Sequence, residues 1–150
     1  MTGANDPDRP GNHATHDATH DAAYDATGTA KLLGLSLDLE PGQGASVSMP
    51  VTPDHANRHG NLHGGLISTV LDTAMGATAS YLKGEGGSIP FSTISLTVNF
   101  IAPMPLGGII TATGRVMGGG FKTVFVEGIA RAEDSTLVAQ ATGTFKRAPI

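Results

Sequence analysis

Apolar and polar residues alternate along much of the chain, and the period of this alternation differs between segments. Every second residue is apolar from Leu33 to Leu39 and again from Ala45 to Met49, and Pro41-Gly42 lies between the two runs. A period of two is typical of a strand with one buried face, and Pro-Gly is typical of a turn. The pattern therefore predicts two strands joined by a short turn.

In residues 65–82 a helical period replaces the period of two, because apolar and small residues there recur every three or four positions. Such a stripe predicts one long helix that packs on the core. The predicted core face comprises Ile67, Leu71, Ala74, Thr78 and Leu82, flanked by Leu66, Val70, Ala77 and Tyr81.

Strand periodicity returns after the helix and continues to the end of the chain. In residues 92–101 one predicted face carries Ile94, Leu96, Val98 and Phe100, and the opposite face carries Thr93, Ser95, Thr97 and Asn99. Further strands are predicted at about 108–117, 121–133 and 137–146, separated by glycines and by Asp134-Ser135. One helix within a mostly antiparallel sheet predicts an α+β domain.

Length and composition fit one compact domain without disulfides. The chain has 150 residues, of which 39% are hydrophobic, and it has no cysteine, which excludes a thiol nucleophile. No apolar run has the length of a membrane span, and the N-terminus lacks the features of a signal peptide. We therefore expect a soluble, cytoplasmic protein.

Charge is concentrated at the N-terminus. Residues 1–28 contain five aspartates and one arginine and so carry the whole formal net charge of −4, whereas the remainder is balanced. Short His/Asp/Ala/Thr repeats without a core-facing stripe predict a flexible acidic tail over residues 1–28 and a folded domain over 29–150. The folded part has no basic stripe, so a nucleic-acid-binding role is not expected.

Candidate chemistry begins where the predicted helix begins, at His63-Gly64-Gly65. The first turn of a helix has unpaired N–H groups and a partial positive charge, and glycine lets a ligand approach the backbone closely. This turn is therefore predicted to bind an anion or a developing oxyanion.

Asp72 is the only acid within the predicted helix. It shares a helical face with the small residues Ser68, Thr69 and Gly76, so another backbone or a slender ligand can come close to it. A buried carboxylate must be hydrogen-bonded, paired or neutralised. By itself, Asp72 fits either a structural aspartate held by a hydroxyl or an amide, or a catalytic acid.

The distance between these two groups bears on the choice. Eight residues separate Gly64 from Asp72, which is about 12 Å along a helix axis. A reacting carbonyl needs its oxyanion donor and its base or nucleophile at about 3 Å. If both groups act on one carbonyl, the acid comes from a second copy of the chain, and a twofold dimer then has two such sites.

These residues resemble the motif of the phenylacetate-degradation (PaaI-like) branch of hotdog-fold acyl-CoA thioesterases. That motif is an asparagine, HGG six residues later and an aspartate nine after the histidine, matched here by Asn57, His63-Gly64-Gly65 and Asp72. The similarity extends through STISLTVNFIAPMPLGG to ATGTFKR and covers roughly residues 30–147. It implies a hotdog fold, an antiparallel sheet of about six strands wrapped around one long central helix.

The resemblance also implies a role for each matching residue. Gly64 would donate its N–H to the thioester carbonyl, and Asp72 of the opposite subunit would attack the carbonyl or activate a water. Asn57 would orient the acid or the water, His63 would brace the turn, and Thr93 would help to hold the water. Each has a simpler interpretation when taken alone: Asn57 can cap a turn, His63 can serve packing, and Thr93 fits an ordinary strand.

Substrate contacts are predicted at Gly65, in the same turn, and the resemblance implies one at Lys122, in a region where relatives contact the CoA nucleotide. Taken alone, a single lysine on a loop is usually just solvated. No cofactor or metal is predicted. His55, His59 and His63 recur every four residues, but the proline and glycines around them indicate a loop and not a helix that could hold zinc.

The predicted function is hydrolysis of a small aryl- or medium-chain acyl-CoA by a homodimer or a dimer of dimers. One alternative is a hydratase or dehydratase of the same fold, which generally pairs a histidine with an acid, whereas this helix supplies only Asp72. The other is a non-catalytic acyl-CoA-binding protein, which would need an effector module.

Overall fold

The structure, a computed structural model, describes residues 19–21, 24 and 27–149. In this part of the chain, one antiparallel sheet packs against one long helix. The strands are β1 (Thr19–His20), β2 (Ser36–Glu40), β3 (Gly44–Pro50), β4 (Phe91–Phe100), β5 (Ile109–Gly119), β6 (Thr123–Ala132) and β7 (Leu137–Arg147). The helices are α1 (Gly28–Leu33) and α2 (Gly64–Lys83), with a 3-10 turn at Pro53–His55.

Strand order along the sheet is β1-β2-β3-β5-β6-β7-β4, and α2 lies against its inner face in contact with every strand from β2 to β7. Six strands have five or more residues, as predicted, and the two-residue β1 lengthens the sheet at one edge. The predicted α+β hotdog arrangement is therefore confirmed. Within the described residues, no helix has the length and apolar content to span a membrane.

Close packing fixes the depth of α2 on the sheet. Thr78 is fully buried, and its Oγ1 accepts a 2.9 Å hydrogen bond from the amide of Ala45 on β3. A Cβ on Gly114 of β5 would lie 2.6 Å from that Oγ1 and 3.0 Å from the Ala74 carbonyl oxygen, so only glycine fits there. The helix is thus held by contacts on two strands. Its buried side chains are Ile67, Val70, Leu71, Ala74, Met75, Thr78 and Ala79.

The short helix α1 was not predicted from the apolar pattern. Leu33, the first residue of the alternating leucine run, lies in this helix, and the strand begins only at Ser36. Thr27 caps the helix by accepting from the Ala30 amide, and Gly34 ends it with a left-handed φ of 71°. Six residues are too few for periodicity to reveal a helix, so only these two caps could have indicated it.

A β-bulge in β4 changes which of its residues face the helix. Thr93 pairs with Phe145 and Leu96 pairs with Gly143, and the register shifts between Thr93 and Ser95. Phe145 and Gly143 lie on the same inner face of β7, so Thr93 and Leu96 also share that face. The predicted strict alternation was wrong here, because Ile94 occupies the bulge and is 60% exposed.

Part of the N-terminal stretch reaches the edge of the sheet. Thr19 pairs with Leu39 of β2, and Tyr24 packs against the hydrophobic core. Residues 1–18, on which most of the predicted tail falls, lie outside the described residues. The described residues of this stretch, Thr19–Asp21 and Tyr24, are called the N-terminal edge segment below.

Candidate active site

The turn that opens α2 leaves one backbone donor free. His63 is the N-cap, and its Nδ1 accepts a 2.9 Å hydrogen bond from the amide of Gly65. Its carbonyl oxygen accepts from the amides of Leu66 and Ile67. Among the described residues, none accepts from the Gly64 N–H. This N–H is the donor in the first turn that remains for a ligand, at the positive end of a 20-residue helix.

His63 is in turn held by the preceding loop. Its amide donates to the carbonyl oxygen of His55 at 2.9 Å, and His55 is only 8% exposed. His55 Nδ1 accepts from the amide of Thr52 and closes the 3-10 turn. The three histidines therefore lie on a turn, a loop and a cap and not on one helix, and no metal-binding cluster occurs within residues 19–21, 24 and 27–149.

Asn57 uses its side-chain oxygen to close the loop before α2. Its Oδ1 accepts hydrogen bonds from the amides of His59 at 2.8 Å and Asn61 at 3.2 Å. The turn-capping interpretation of Asn57 is therefore confirmed, and its amide nitrogen is the end that remains for other partners. Asn57 and Gly64 both line a cavity of about 420 Å³, whose wall includes Phe100.

Phe100 packs beside Gly64 in the wall of this cavity. Its ring atoms would be 3.3 Å from a Cβ on Gly64, which is tighter than ordinary contact. Glycine at this position therefore allows the ring to approach the helix N-terminus. The ring is 56% exposed. Phe100 was predicted only as a strand residue, and nothing in the apolar pattern identified it as a neighbour of Gly64.

Asp72 lies half-buried on the same helix, but it lines a different cavity. Its Oδ1 accepts a 2.7 Å hydrogen bond from Oγ1 of Thr93, which the β4 bulge turns toward the helix. Both residues line a cavity of about 440 Å³. This charge-assisted hydrogen bond restricts the rotamer of the Asp72 side chain.

The two cavities have no lining residue in common. One contains Gly64 and Asn57, and the other contains Asp72 and Thr93. Within a single chain the proposed oxyanion donor and the proposed acid therefore face separate clefts. The separate clefts agree with the distance of about 12 Å along the helix axis that follows from the eight-residue spacing of Gly64 and Asp72.

The other three predicted residues, His63, Gly65 and Lys122, line neither cavity. Gly65 is exposed, and its amide is engaged by His63. Lys122 is exposed at the turn between β5 and β6, and its carbonyl oxygen accepts from the amide of Arg147. The Arg147 guanidinium lies 3.8 Å from the centre of the Phe121 ring. This end of the sheet therefore places the cationic side chain of Arg147 beside an exposed aromatic ring, with Lys122 next to that ring in the sequence.

Several lining residues of the Asp72 cavity were not predicted. They come from four parts of the chain and include Asp21, Tyr24, Leu39, Tyr81 and Phe91. Tyr81 follows Asp72 by nine residues on α2, which at 3.6 residues per turn is two and a half turns, so helical spacing does not place the two on one face. Tyr24 lies 48 positions before Asp72, and no local pattern links two positions so far apart.

Comparison with known proteins places these features in a family. Residues 59–139 match the model of the thioesterase superfamily, a range that includes Gly64, Asp72 and Thr93. No curated protein sequence matches the chain.

Solved structures are similar over most of the chain. The PaaI protein from the E. coli phenylacetic acid degradation operon is 26% identical, with 85% of this chain and 89% of that chain covered and a TM-score of 0.75. A variant of the phenylacetic acid degradation protein PaaI from Thermus thermophilus is 30% identical, with 80% and 98% covered and a TM-score of 0.69. A Bacillus halodurans protein solved with CoA is 26% identical, with 83% and 81% covered and a TM-score of 0.75.

Proposed function

The chain belongs to the thioesterase superfamily as a PaaI-like protein with the hotdog fold, and we propose that it hydrolyses an acyl-CoA thioester to the free acid and CoA. The observation that carries the proposal is the pairing of a free Gly64 N–H at a helix N-terminus with a Thr93-bound Asp72 that lines a cavity. The first group suits a developing oxyanion, and the second suits a nucleophile or base.

The two groups meet if α2 pairs antiparallel with its copy in a second subunit. A twofold axis that crosses the helix at Ser68 would bring Gly64 of one chain opposite Asp72 of the other, since each lies four residues from that point. Gly64, Ser68 and Asp72 fall on one helical face. The hydroxyls of Ser68 and Thr69 donate to carbonyl oxygens of their own helix, so these hydroxyls need no further acceptor when they are buried between the two helices.

The edge of the sheet offers a surface for this dimer. β4 has ten residues and pairs only with β7, so its other edge is open in the described chain. The exposed apolar side chains of Ile94, Phe100 and Ile101 lie on or next to it. Pairing of two β4 edges would join the sheets and bring both α2 helices side by side. The proposed assembly is a homodimer, alone or as a dimer of dimers.

In the proposed reaction, the thioester carbonyl oxygen accepts from Gly64 N–H of one subunit. The partner's Asp72 either attacks the carbonyl carbon and displaces the CoA thiolate, leaving an acyl anhydride that water then hydrolyses to the free acid, or removes a proton from a water that attacks the carbonyl carbon and displaces the thiolate. One oxyanion donor of this kind contributes about 3 kcal/mol to the stability of the transition state. Thr93 holds the carboxylate, Asn57 orients the acid or the water, and His63 positions the turn by accepting from Gly65.

The lining of the Asp72 cavity and one relative support a proposal for the substrate class. Leu37, Leu39, Ala77 and Phe91 make much of its wall apolar, which suits a small aryl or medium-chain acyl group. The CoA in the Bacillus halodurans relative supports CoA as the carrier. Lys122, in the cationic end of the sheet, is proposed to contact its phosphates, and Gly65 to let the substrate approach the backbone. A cytoplasmic location remains a prediction.

The test is release of free thiol from a panel of aryl and medium-chain acyl-CoAs. At least one member is expected to be hydrolysed, and Asp72→Asn is expected to lower kcat roughly 10²–10⁴-fold while acyl-CoA binding persists. Asp54→Asn, at an exposed acid in the 3-10 turn, is the matched control. Absence of thiol release from every member would refute the hydrolase, and addition of water to an enoyl-CoA would instead identify a hydratase.

A further inference from the structure

The Asp72 cavity runs along α2 toward the C-terminus of the helix. Asp72, Gly76 and Ser80 line it at intervals of one helical turn, and Tyr81 lies one residue further on. Nine residues span about 13 Å along the axis. If the carbonyl carbon lies at Asp72, as the proposed function requires, this groove has the length and the lining to hold the acyl group.

The wall opposite the helix is built from β2 and from the N-terminal edge segment. Leu37 and Leu39 of β2, with Asp21 and Tyr24, line the same groove as Asp72. Leu37 is 3% exposed and belongs to the core, whereas Tyr24 is half-buried and rests on the core from outside. Tyr24 is thus a bulky wall residue whose size can change without removal of a core side chain.

Backbone hydrogen bonds hold Tyr24 in this position. The amide of Asp21 donates to the carbonyl oxygen of Leu37 at 2.8 Å, and the amide of Tyr24 donates to Asp21 Oδ1 at 3.0 Å. The amide of Thr27 donates to the carbonyl oxygen of Tyr24 at 2.9 Å. The segment is therefore anchored both to β2 and to the start of α1.

We infer that Tyr24 is a specificity-determining residue whose ring sets the width of acyl group that the groove accepts; this inference rests on the proposed function. The residues matched by the thioesterase family model begin at 59, so Tyr24 lies outside that match. The proposed reacting groups Gly64 and Asp72 lie within that match, and the N-terminal edge segment, which lies outside it, supplies a wall of the acyl groove.

The experiment compares benzoyl-CoA with the wider 2-naphthoyl-CoA as substrates of the full-length chain. Tyr24→Ala opens the groove and is expected to raise the naphthoyl-to-benzoyl ratio of kcat/KM roughly tenfold or more, and Tyr24→Trp is expected to lower it. Leu32→Ala, which removes an 82% exposed side chain from α1, is the matched control and should leave the ratio unchanged. If Tyr24 sets specificity, the two Tyr24 variants shift the ratio in opposite directions. If Tyr24 has only a structural role, each variant slows the hydrolysis of both substrates alike and the ratio does not change.

A ratio that is the same in the parent, Tyr24→Ala and Tyr24→Trp would overturn the inference. Binding of non-hydrolysable thioether analogues with the same two acyl groups, measured by calorimetry, gives the ratio independently of turnover. If the parent hydrolyses neither thioester but the Tyr24 variants shift analogue binding, the proposed function fails and the wall role stands. If neither analogue binds, both the proposed function and the role of Tyr24 as a wall of the groove fail. Should Tyr24→Ala not fold, Tyr24→Trp still provides the test.

Discussion

The side chain of Thr93 donates a 2.7 Å hydrogen bond to Oδ1 of Asp72, and this bond joins the middle of α2 to the bulge of β4. Both residues line the same cavity. Among the described residues, no donor is found for Oδ2, the other oxygen of the carboxylate. The hydrogen bond therefore holds one carboxylate oxygen and leaves the second for substrate or water.

Loss of this hydroxyl is expected to slow the reaction while substrate binding persists. Thr93→Val should lower kcat roughly tenfold or more with little change in KM, because a hydrogen bond to a charged group contributes about 1.5–3 kcal/mol. Thr93→Ser retains the donor and should retain most of the rate. Thr97→Val, on the exposed outer face of β4, is the control. An unchanged kcat in Thr93→Val would show that the hydrogen bond serves stability alone.

Mixed dimers test whether the site is shared between chains. Gly64→Pro removes the free N–H at a helix position that tolerates proline, and Asp72→Asn removes the acid. Each variant alone is expected to be nearly inactive. Random mixing by co-refolding should recover about a quarter of parental activity, since half of the dimers are mixed and each has one intact site.

Two tags on the chains allow the mixed dimers to be isolated and their turnover to be measured. Well-mixed dimers without recovered activity would mean that Gly64 and Asp72 do not act together across chains. Mixing Gly64→Pro with a Gly64→Pro, Asp72→Asn double variant is the negative control, because no site in that mixture is intact.

The open edge of β4 is expected to be the dimer contact. Ile94→Lys places a charge at an apolar side chain that is 60% exposed in the single chain, and it should weaken the dimer roughly tenfold or more and lower activity with it. Met117→Lys, at the 56% exposed bulge residue of β5, is the matched control. Light scattering after gel filtration measures the assembly. A fully active dimer of Ile94→Lys would place the interface elsewhere.

The glycine beneath α2 is expected to be required for stability. Gly114→Ala puts a Cβ 2.6 Å from the buried Oγ1 of Thr78, so the helix must shift, and the free energy of unfolding should fall by about 1–3 kcal/mol. Gly118→Ala, later in β5, adds a Cβ that meets no heavy atom within 4 Å beyond its chain neighbours, and it should leave that free energy nearly unchanged. Urea denaturation measures both, and equal stability of the two variants would contradict the packing account.

Much of the fold could be predicted from local pattern. The period-two runs gave the long strands, and the helical stripe gave α2 within one residue at each end. Helix α1 was missed because it is short, and β1 was missed because its two residues pair with β2 only through a long-range contact. Strand order also depends on such contacts, and only the structure gives it.

The sequence by itself determined the two periods, the start of α2 at residues 63–65 and the spacing of Gly64 and Asp72, since each depends on residues within a few turns of one another. Only the tertiary structure decided that Thr93 faces Asp72, because a bulge reverses the alternation of β4 and is fixed by its pairing with β7. Only the tertiary structure brought Tyr24 to the Asp72 cavity, through hydrogen bonds to β2. Periodicity reports the solvent exposure of a local segment, whereas register and cavity walls arise from packing between segments that are distant in the chain.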